Sequence, residues 1–413
     1  MKRLLVSSLL LSIMLSGALC YAGQTSTTQP QKKGEGINLT PNTSTQRVVT
    51  GVTVTTSASM QGKTFTNSQT KKTDEELEKD RKAEEWFKKA EKIDQENRLI
   101  WIATDQKQRQ KKEKIGLLEI KYYTKAIEIN PDYVEAYFKR ANTYELLLDN
   151  YQKAIDDYTK VIELKPDYPE AYRARGRIYG DELHEYQKAI DDYTNVIALK
   201  PDNSDAYFNR AKIFESLDDY HEAIDDYTKV IELKPDDGGT YFSHGYYYDD
   251  AEAYNALGHI YSVKLHEYQE AIDDFTKAIE LTPANSLLAS LNYFDRGNTY
   301  KNWADNLSSN YESKDVANDN YYHAIDDYTE VIKLDPAESA AYYNRGLVYW
   351  VLDFPTTACD DFYNAGLLYL KHREKTEALK CADLIKEADR HSPLIKKLMS
   401  KIYSKDKSKR HKK

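Results

Sequence analysis

Cysteine is scarce, with only Cys20, Cys359 and Cys381 in 413 residues. That excludes a disulfide scaffold and a cysteine zinc cluster. After the first twenty residues no run is apolar enough to cross a bilayer. A glycine-rich phosphate loop, a zinc-ligand motif and a nucleophile elbow are also missing, and His244, His259 and His266 lack metal-site spacing. With no room for a separate catalytic domain, neither an enzyme nor a cofactor is expected. The chain is 40% apolar and 30% charged, with mean hydropathy −0.75. One large compact core would need more apolar residues; stacked amphipathic helices suit these figures.

The termini differ from the middle. Residues 1–22 have a basic start (Lys2, Arg3), an apolar stretch from Leu4 to Leu19 and small residues up to Ala22. This reads as a secretory signal, so an exported protein, periplasmic or secreted, is expected. The alternative is a lipoprotein signal with Cys20 as the lipidated residue, and bulky Leu19 before that cysteine weighs against it. Residues 23–73, rich in Ser, Thr and Gln, cannot bury enough apolar surface to offset their conformational entropy and read as a disordered spacer. The alternating run at 48–56 could form a strand beside a partner. Residues 401–413 hold seven Lys or Arg and one Asp, giving +6, whereas the rest sums to −15 of the formal −9. An acidic body is a poor nucleic-acid binder, so no specific nucleic acid is expected; the basic tail, 405–413 at its end, could make weak contact with an anionic surface.

Between the termini the sequence repeats itself. YQKAIDDYTKVIELKP at 151–166 recurs with small changes at 186–201, 220–235, 268–283 and 321–336. Pro131, Pro166, Pro201, Pro235, Pro283 and Pro336 close successive words, 35, 35, 34, 48 and 53 residues apart. The first three intervals define a period, and the last two add insertions. Before each word lies a second helical pattern, such as AYRARGRIYG (171–180), which puts Tyr172, Gly176 and Tyr179 on one helix face. The word itself puts Tyr151, Ala154, Tyr158 and Val161 on one face. Each period is therefore a helix, a turn and a second helix ended by proline. These patterns take up 21 of the 35 tyrosines, so most of the aromatic excess is packing.

Each word also carries an Asp-Asp pair. Neighbouring helical residues project ~100° apart, so Asp156 and Asp157 cannot converge as an acid/base pair or metal site. The pair reads as structural. Arg140, Arg175, Arg210, Arg296 and Arg345 recur in the first helices, and one Asp per unit is expected to accept from such an arginine. Leu257 breaks the series, although its unit keeps Asp273 and Asp274.

Tyr137, Ala141, Tyr144, Ala154, Tyr158 and Pro166 resemble the signature of the tetratricopeptide repeat, and later units match likewise. Five units (132–166, 167–201, 202–235, 236–283, 284–336) match strongly. A preceding unit is degenerate, with Glu119 at the small-residue position and a leading helix that is either Trp86–Ile93 or not recognisable. A seventh (337–370) has Leu370 in place of proline. The resemblance implies an all-α fold, an α-solenoid of tandem helix-turn-helix repeats wound as a right-handed superhelix. Its parts would be a charged helical region with the degenerate repeat at 74–131, the array at 132–370 and C-terminal capping helices at 371–404.

In this family the first helices line a concave groove that holds peptides. That implies a scaffold or adaptor for a protein or peptide partner, with Phe138, Asn142, Arg173, Arg177, Phe208, Asn209, Lys212, Asn255, His259, Phe294, Asn298 and Tyr343 in the groove. The groove's basic middle would suit an acidic side chain or a terminal carboxylate. Asn298 and Asn344 form a candidate pair, while Ala174 stands where a carboxylate clamp needs asparagine. Tyr343, Leu347 and Trp350 are expected to receive the closing helices. The insertion at 236–250 offers Tyr241, Phe242, Tyr246, Tyr247 and Tyr248 as a contact loop, or one folded back on its own array. The insertion at 301–320 reads as a solvated extension. The rival function is an envelope-surface binder of anionic lipid or polymer that uses the basic tail.

Overall fold

The computed structural model describes residues 72–97, 106–233, 250–308 and 313–410, with backbone alone at 106–108 and 404–410. The chain divides into Met1–Gln69 and Thr70–Lys413, and all described residues belong to the second unit. The signal, most of the spacer and the aromatic loop with Tyr241, Phe242, Tyr246, Tyr247 and Tyr248 lie outside them.

Among the described residues every regular element is helical. The repeats are α1 (Asp74–Asn97) with α2 (Gln106–Ile129), α3 (Val134–Leu148) with α4 (Tyr151–Leu164), and α5 (Pro169–Arg177) with α6 (Tyr186–Leu199). Next come α7 (Ser204–Ser216) with α8 (Tyr220–Leu233), α9 (Asp250–His259) with α10 (Tyr268–Leu281), α11 (Leu287–Ser308) with α12 (Lys314–Leu334), and α13 (Ser339–Val351) with α14 (Pro355–Lys371). Helices α15 (Lys375–Ala388) and α16 (Pro393–Arg410) follow. Each helix packs chiefly on its neighbours in sequence. This is an all-α solenoid of stacked hairpins, numbered here as repeats one to seven.

The second-helix word places its aromatic ring in the middle of each hairpin. Tyr158, Tyr193, Tyr227, Phe275, Tyr328 and Phe362 are all at most 2% exposed. The small residue opposite makes room for that ring: a Cβ on Gly258 would come within 2.8 Å of Phe275, and one on Gly346 within 2.9 Å of Phe362. The turn is equally regular inside the hairpins of repeats two to five and seven, and again where α14 meets α15. Asp149, His184, Asp218, His266, Asp353 and Arg373 take positive φ between 50° and 70°. The following backbone N–H reaches back to the carbonyl of the last aromatic, as from Asn150 to Tyr144 at 2.8 Å and from Glu267 to Tyr261 at 2.9 Å. This left-handed cap satisfies carbonyls the helix end would otherwise leave unpaired.

Arginine joins one hairpin to the next. Arg140 donates through Nε and Nη2 to both oxygens of Asp157 at 2.7 Å, and through Nη1 to the Thr124 hydroxyl at 3.0 Å. Arg175 does the same with Asp192 and Thr159, Arg210 with Asp226 and Thr194, Arg296 with Asp327 and Thr276, and Arg345 with Asp361 and Thr329. The aspartate belongs to the arginine's own repeat and the threonine to the preceding one. A guanidinium satisfies both because its donors form a planar fork. Only the second Asp of each pair is used; Asp156, on the other face, accepts from Gln152 at 3.0 Å.

Two sequence expectations change. Residues 301–308 and 314–320 are no solvated extension: they lengthen α11 and α12, and Ala304, Ala317 and Asn320 are buried there. For repeat one, the Trp86–Ile93 alternative holds, because α1 stacks Trp86 on Tyr122 and packs Phe87 against Tyr123 and Tyr133. Glu119 stays buried at 2% exposure, and burial pushes its carboxyl up to about 7 although the Thr143 hydroxyl donates to it at 3.1 Å. Cys359 and Cys381 are separate, buried thiols. Burial pushes the Cys381 thiol up to about 12, which makes it a poor nucleophile.

Candidate functional site

The first-helix residues expected to line a groove divide sharply once placed. Phe138, Phe208, Phe294 and Tyr343 turn inward and pack on Tyr158, Tyr227, Tyr328 and Phe362 of their own hairpins. Asn142 is held by the Tyr158 hydroxyl at 2.6 Å, and Asn209 donates to its own helix at the Asp205 carbonyl. The basic middle is already answered from within. Arg173 reaches Asp205 of the next repeat at 3.4 Å, and Arg177 pairs with Glu145 of the preceding one. Burial pushes Asp205 up to about 7, with Arg173 acting against that shift. Lys212 is exposed. An acidic ligand would therefore have to displace two internal carboxylates, which corrects the expectation drawn from the arginines alone.

Farther along, α9, α11 and α13 enclose a cavity of about 300 Å³. Asp295, Asn298, Thr299 and Asn302 share a face of α11 because they recur at three- and four-residue steps. His259 enters from α9, and Asn344 and Leu347 from α13. The His259 Nε2 lies 3.1 Å from an Asp295 oxygen. Burial opposes charge on the imidazole, yet the Asp295 carboxylate outweighs it and lifts the pKa above the ordinary histidine value. Asn255 sits behind this pair, donating to Asn292 at 2.8 Å.

The asparagines are set by a buried tyrosine. Tyr328 donates its hydroxyl to Asn298 Oδ1 at 2.8 Å, and Asn344 Nδ2 donates to the same oxygen at 2.9 Å. With Oδ1 so engaged, the N–H₂ is the part of the Asn298 amide left to bond a further group, and Asn298 and Asn344 both line the cavity. Ser262 and Thr299 close its floor with a buried hydroxyl contact of 2.8 Å, and Lys301 is tied to Asp305 at 2.6 Å. Phe275, Val263 and Leu347 give apolar wall. His259 with Asp295 and Lys301 with Asp305 leave the site close to neutral. It can hold a polar chain by amide hydrogen bonds and a side chain by apolar contact. Among the described residues no three His, Cys, Asp or Glu side chains gather to hold a metal.

His259 and Asn298 are visible in the sequence as groove positions, and Asn344 as the candidate partner of Asn298. Asp295, Lys301 and Asn302 were missed. For Lys301 and Asn302 the signal is the helical phase that continues unbroken past the point where the repeat period breaks; Asp295 falls inside the recognised first-helix pattern, and its signal is its place four residues before Thr299 and three before Asn298 on the same face.

Four family models for the tetratricopeptide repeat match, at residues 122–156, 148–181, 204–237 and 251–285. The chain is a tetratricopeptide-repeat protein. No curated protein matches it. Solved structures that resemble it include MamA, 28% identical over 43% of this chain and 95% of that one, with a TM-score of 0.35. Another is YrrB, described as a TPR protein with an unusual peptide-binding site, 18% identical over 58% and 95%, TM-score 0.35. A third is the C-terminal part of a TPR repeat-containing protein from Cytophaga hutchinsonii, 16% identical over 78% and 98%, TM-score 0.44. The family assignment rests on the repeat models and the repeating geometry, not on these loose superpositions.

Proposed function

We propose that this tetratricopeptide-repeat chain is a non-catalytic scaffold that holds an extended segment of a partner protein along its first helices, with the α9–α11–α13 cavity as the main seat. The observation that carries this reading is the Asn298–Asn344 pair, fixed by the buried Tyr328 hydroxyl and presenting amide groups beside apolar Leu347 and Phe275. Rigid, pre-oriented amides suit a peptide backbone, since ordering cost is met before binding. The near-neutral lining favours an uncharged polar or small apolar segment over an acidic one. The signal-like residues 1–22 support an exported scaffold.

A photo-crosslinking residue at Leu347, compared with one at exposed Glu163, tests the seat. Peptides of one partner should crosslink at 347 and not at 163, and Asn344→Ala should weaken that capture at least fivefold. Equal capture at both positions would overturn the reading. The rival, surface binding through the basic tail, is tested by truncation. The cut must follow Tyr403, because Ile402 is buried at 3% exposure and belongs to the closing core. Loss of binding to anionic vesicles together with retained crosslinking at 347 would assign the tail a separate, secondary role.

A further inference from the structure

Repeat five keeps every part of the arginine cradle except the arginine. In the other repeats from two to seven the guanidinium sits among four groups. These are the second Asp of the pair, the preceding repeat's threonine, and the aromatic positions on either side, both of which face the guanidinium of Arg175 (Tyr172 and Tyr179 at 5.9 and 6.0 Å), Arg210 and Arg345, while Arg140 and Arg296 lie over the first alone. Repeat five has the counterparts of all four: Asp274, Thr228, Tyr254 and Tyr261. In the arginine's place stands Leu257, 5% exposed and packed with Tyr227 and Ile260 in the core shared by repeats four and five. Leu257 fills the path of the stem and brings no donor. Asp274 has no hydrogen-bond or ion-pair partner among the described residues, and Thr228 is exposed.

Charge around the cradle is one-sided. Asp273 and Glu270 act on Asp274, and Asp274 itself, then Glu267, Glu270 and Asp225, act on Tyr261. Of the lysines on the helices of Asp274 and Thr228, Lys277 is held by Glu280 at 2.7 Å and Lys229, next to Thr228, by Glu232 at 3.0 Å. The ligand class follows from five internal copies of the same groups, each closed on a guanidinium. A planar fork with several donors satisfies a carboxylate and a hydroxyl together while lying against two rings; an ammonium has no such plane. The segment 234–249 contains no arginine, so the connection between repeats four and five cannot supply one.

We propose that the cradle of Asp274, Thr228, Tyr254 and Tyr261 is a docking site for an arginine side chain of a partner polypeptide, separate from the asparagine-lined cavity. The partner's guanidinium takes the place that Arg140, Arg175, Arg210, Arg296 and Arg345 take in their own repeats.

Calorimetric titration of the full chain with acetyl-Ala-Arg-Ala-amide and its Lys counterpart tests this. The Arg peptide should bind at least tenfold more tightly than the Lys peptide. Acetyl-arginine amide should displace it, identifying the guanidinium as the recognised group. Leu257→Arg, which fills the cradle from within, and Asp274→Asn, which removes its charge, should each weaken binding at least tenfold, whereas Glu163→Ala, at an exposed position of repeat two, should leave it unchanged. Equal affinity for Lys, no displacement by arginine amide, undiminished binding to Leu257→Arg, or no saturable binding at all would overturn the proposal.

Discussion

Repeats three and five share a hairpin plan down to a left-handed histidine in the turn, and differ most at one residue. In repeat three Arg175 closes on Asp192 and on Thr159 of its neighbour; in repeat five Leu257 leaves Asp274 and Thr228 without that bridge. Burial acts on both aspartates, but in repeat three the guanidinium works against it. In repeat five, burial together with Asp273 and Glu270 pushes the Asp274 carboxyl up to about 7. The contrast shows that the hairpin is built by its apolar stripes, while the arginine supplies the counter-charge and donors for a carboxylate at the seam between repeats.

The most severe way to break the comparison is Arg175→Leu, which gives repeat three the residue of repeat five. Asp192 is 3% exposed, and a carboxylate stranded in such a place costs about 3–5 kcal/mol. Urea unfolding should show a loss of that order, and Arg175→Leu with Asp192→Leu should recover most of it. A loss below about 1 kcal/mol would mean the bridge is ornamental to folding. Next in size is Gly258→Ala. The added methyl meets the Phe275 ring, and overpacking of this kind costs about 1–3 kcal/mol. Adding Phe275→Leu should soften that loss, and no change in midpoint would show that the ring can move aside.

The period, the proline stops and the aromatic–small pairing were legible because each is local to one helix. Even the Arg–Asp partnership could be read from co-occurrence, since Arg175 and Asp192 lie in adjacent helices of one unit. The threonine of the cradle was not legible: Thr159 lies in the preceding repeat, and the threonine-to-arginine spacing changes from 16 residues there to 20 for Thr276 and Arg296 in repeat six. The groove failed in sequence for a related reason. A phenylalanine such as Phe208 at a groove position gives no sign of whether it faces the ligand or its own Tyr227. Nor do Arg173 and Arg177 show that Asp205 and Glu145 already answer them, because both carboxylates come from other repeats.

Leu257→Arg sharpens the comparison in the opposite direction and makes it depend on pH. Asp274 carries a raised pKa, so the folded chain binds its proton more tightly than the unfolded chain does, and its contribution to stability is lost as pH rises from about 4 through about 7. Glu119 and Asp205, also near 7, add to the same decline. The new arginine pulls the Asp274 pKa down, as Arg175 acts at Asp192, so its advantage over leucine grows as pH rises through the range in which Asp274 of the Leu257 chain must give up its proton. It should stabilise the chain by about 1 kcal/mol at pH 8 and do little at pH 5, flattening part of the decline seen in urea midpoints. A gain equal at both pH values would show that the arginine acts by packing alone.

The smallest expected effect serves as the internal control. His184 and His266 hold φ of 55° and 58° in the turns of repeats three and five. Glycine adopts this region without a Cβ clash but loses more freedom on folding, so His184→Gly and His266→Gly should each gain about 0.5 kcal/mol, and by the same amount. Equal gains would confine the difference between the two repeats to the cradle. A larger gain at His266 would mean that its turn is strained as well, and that the missing arginine is felt across the hairpin, some of its cost having been passed to the backbone.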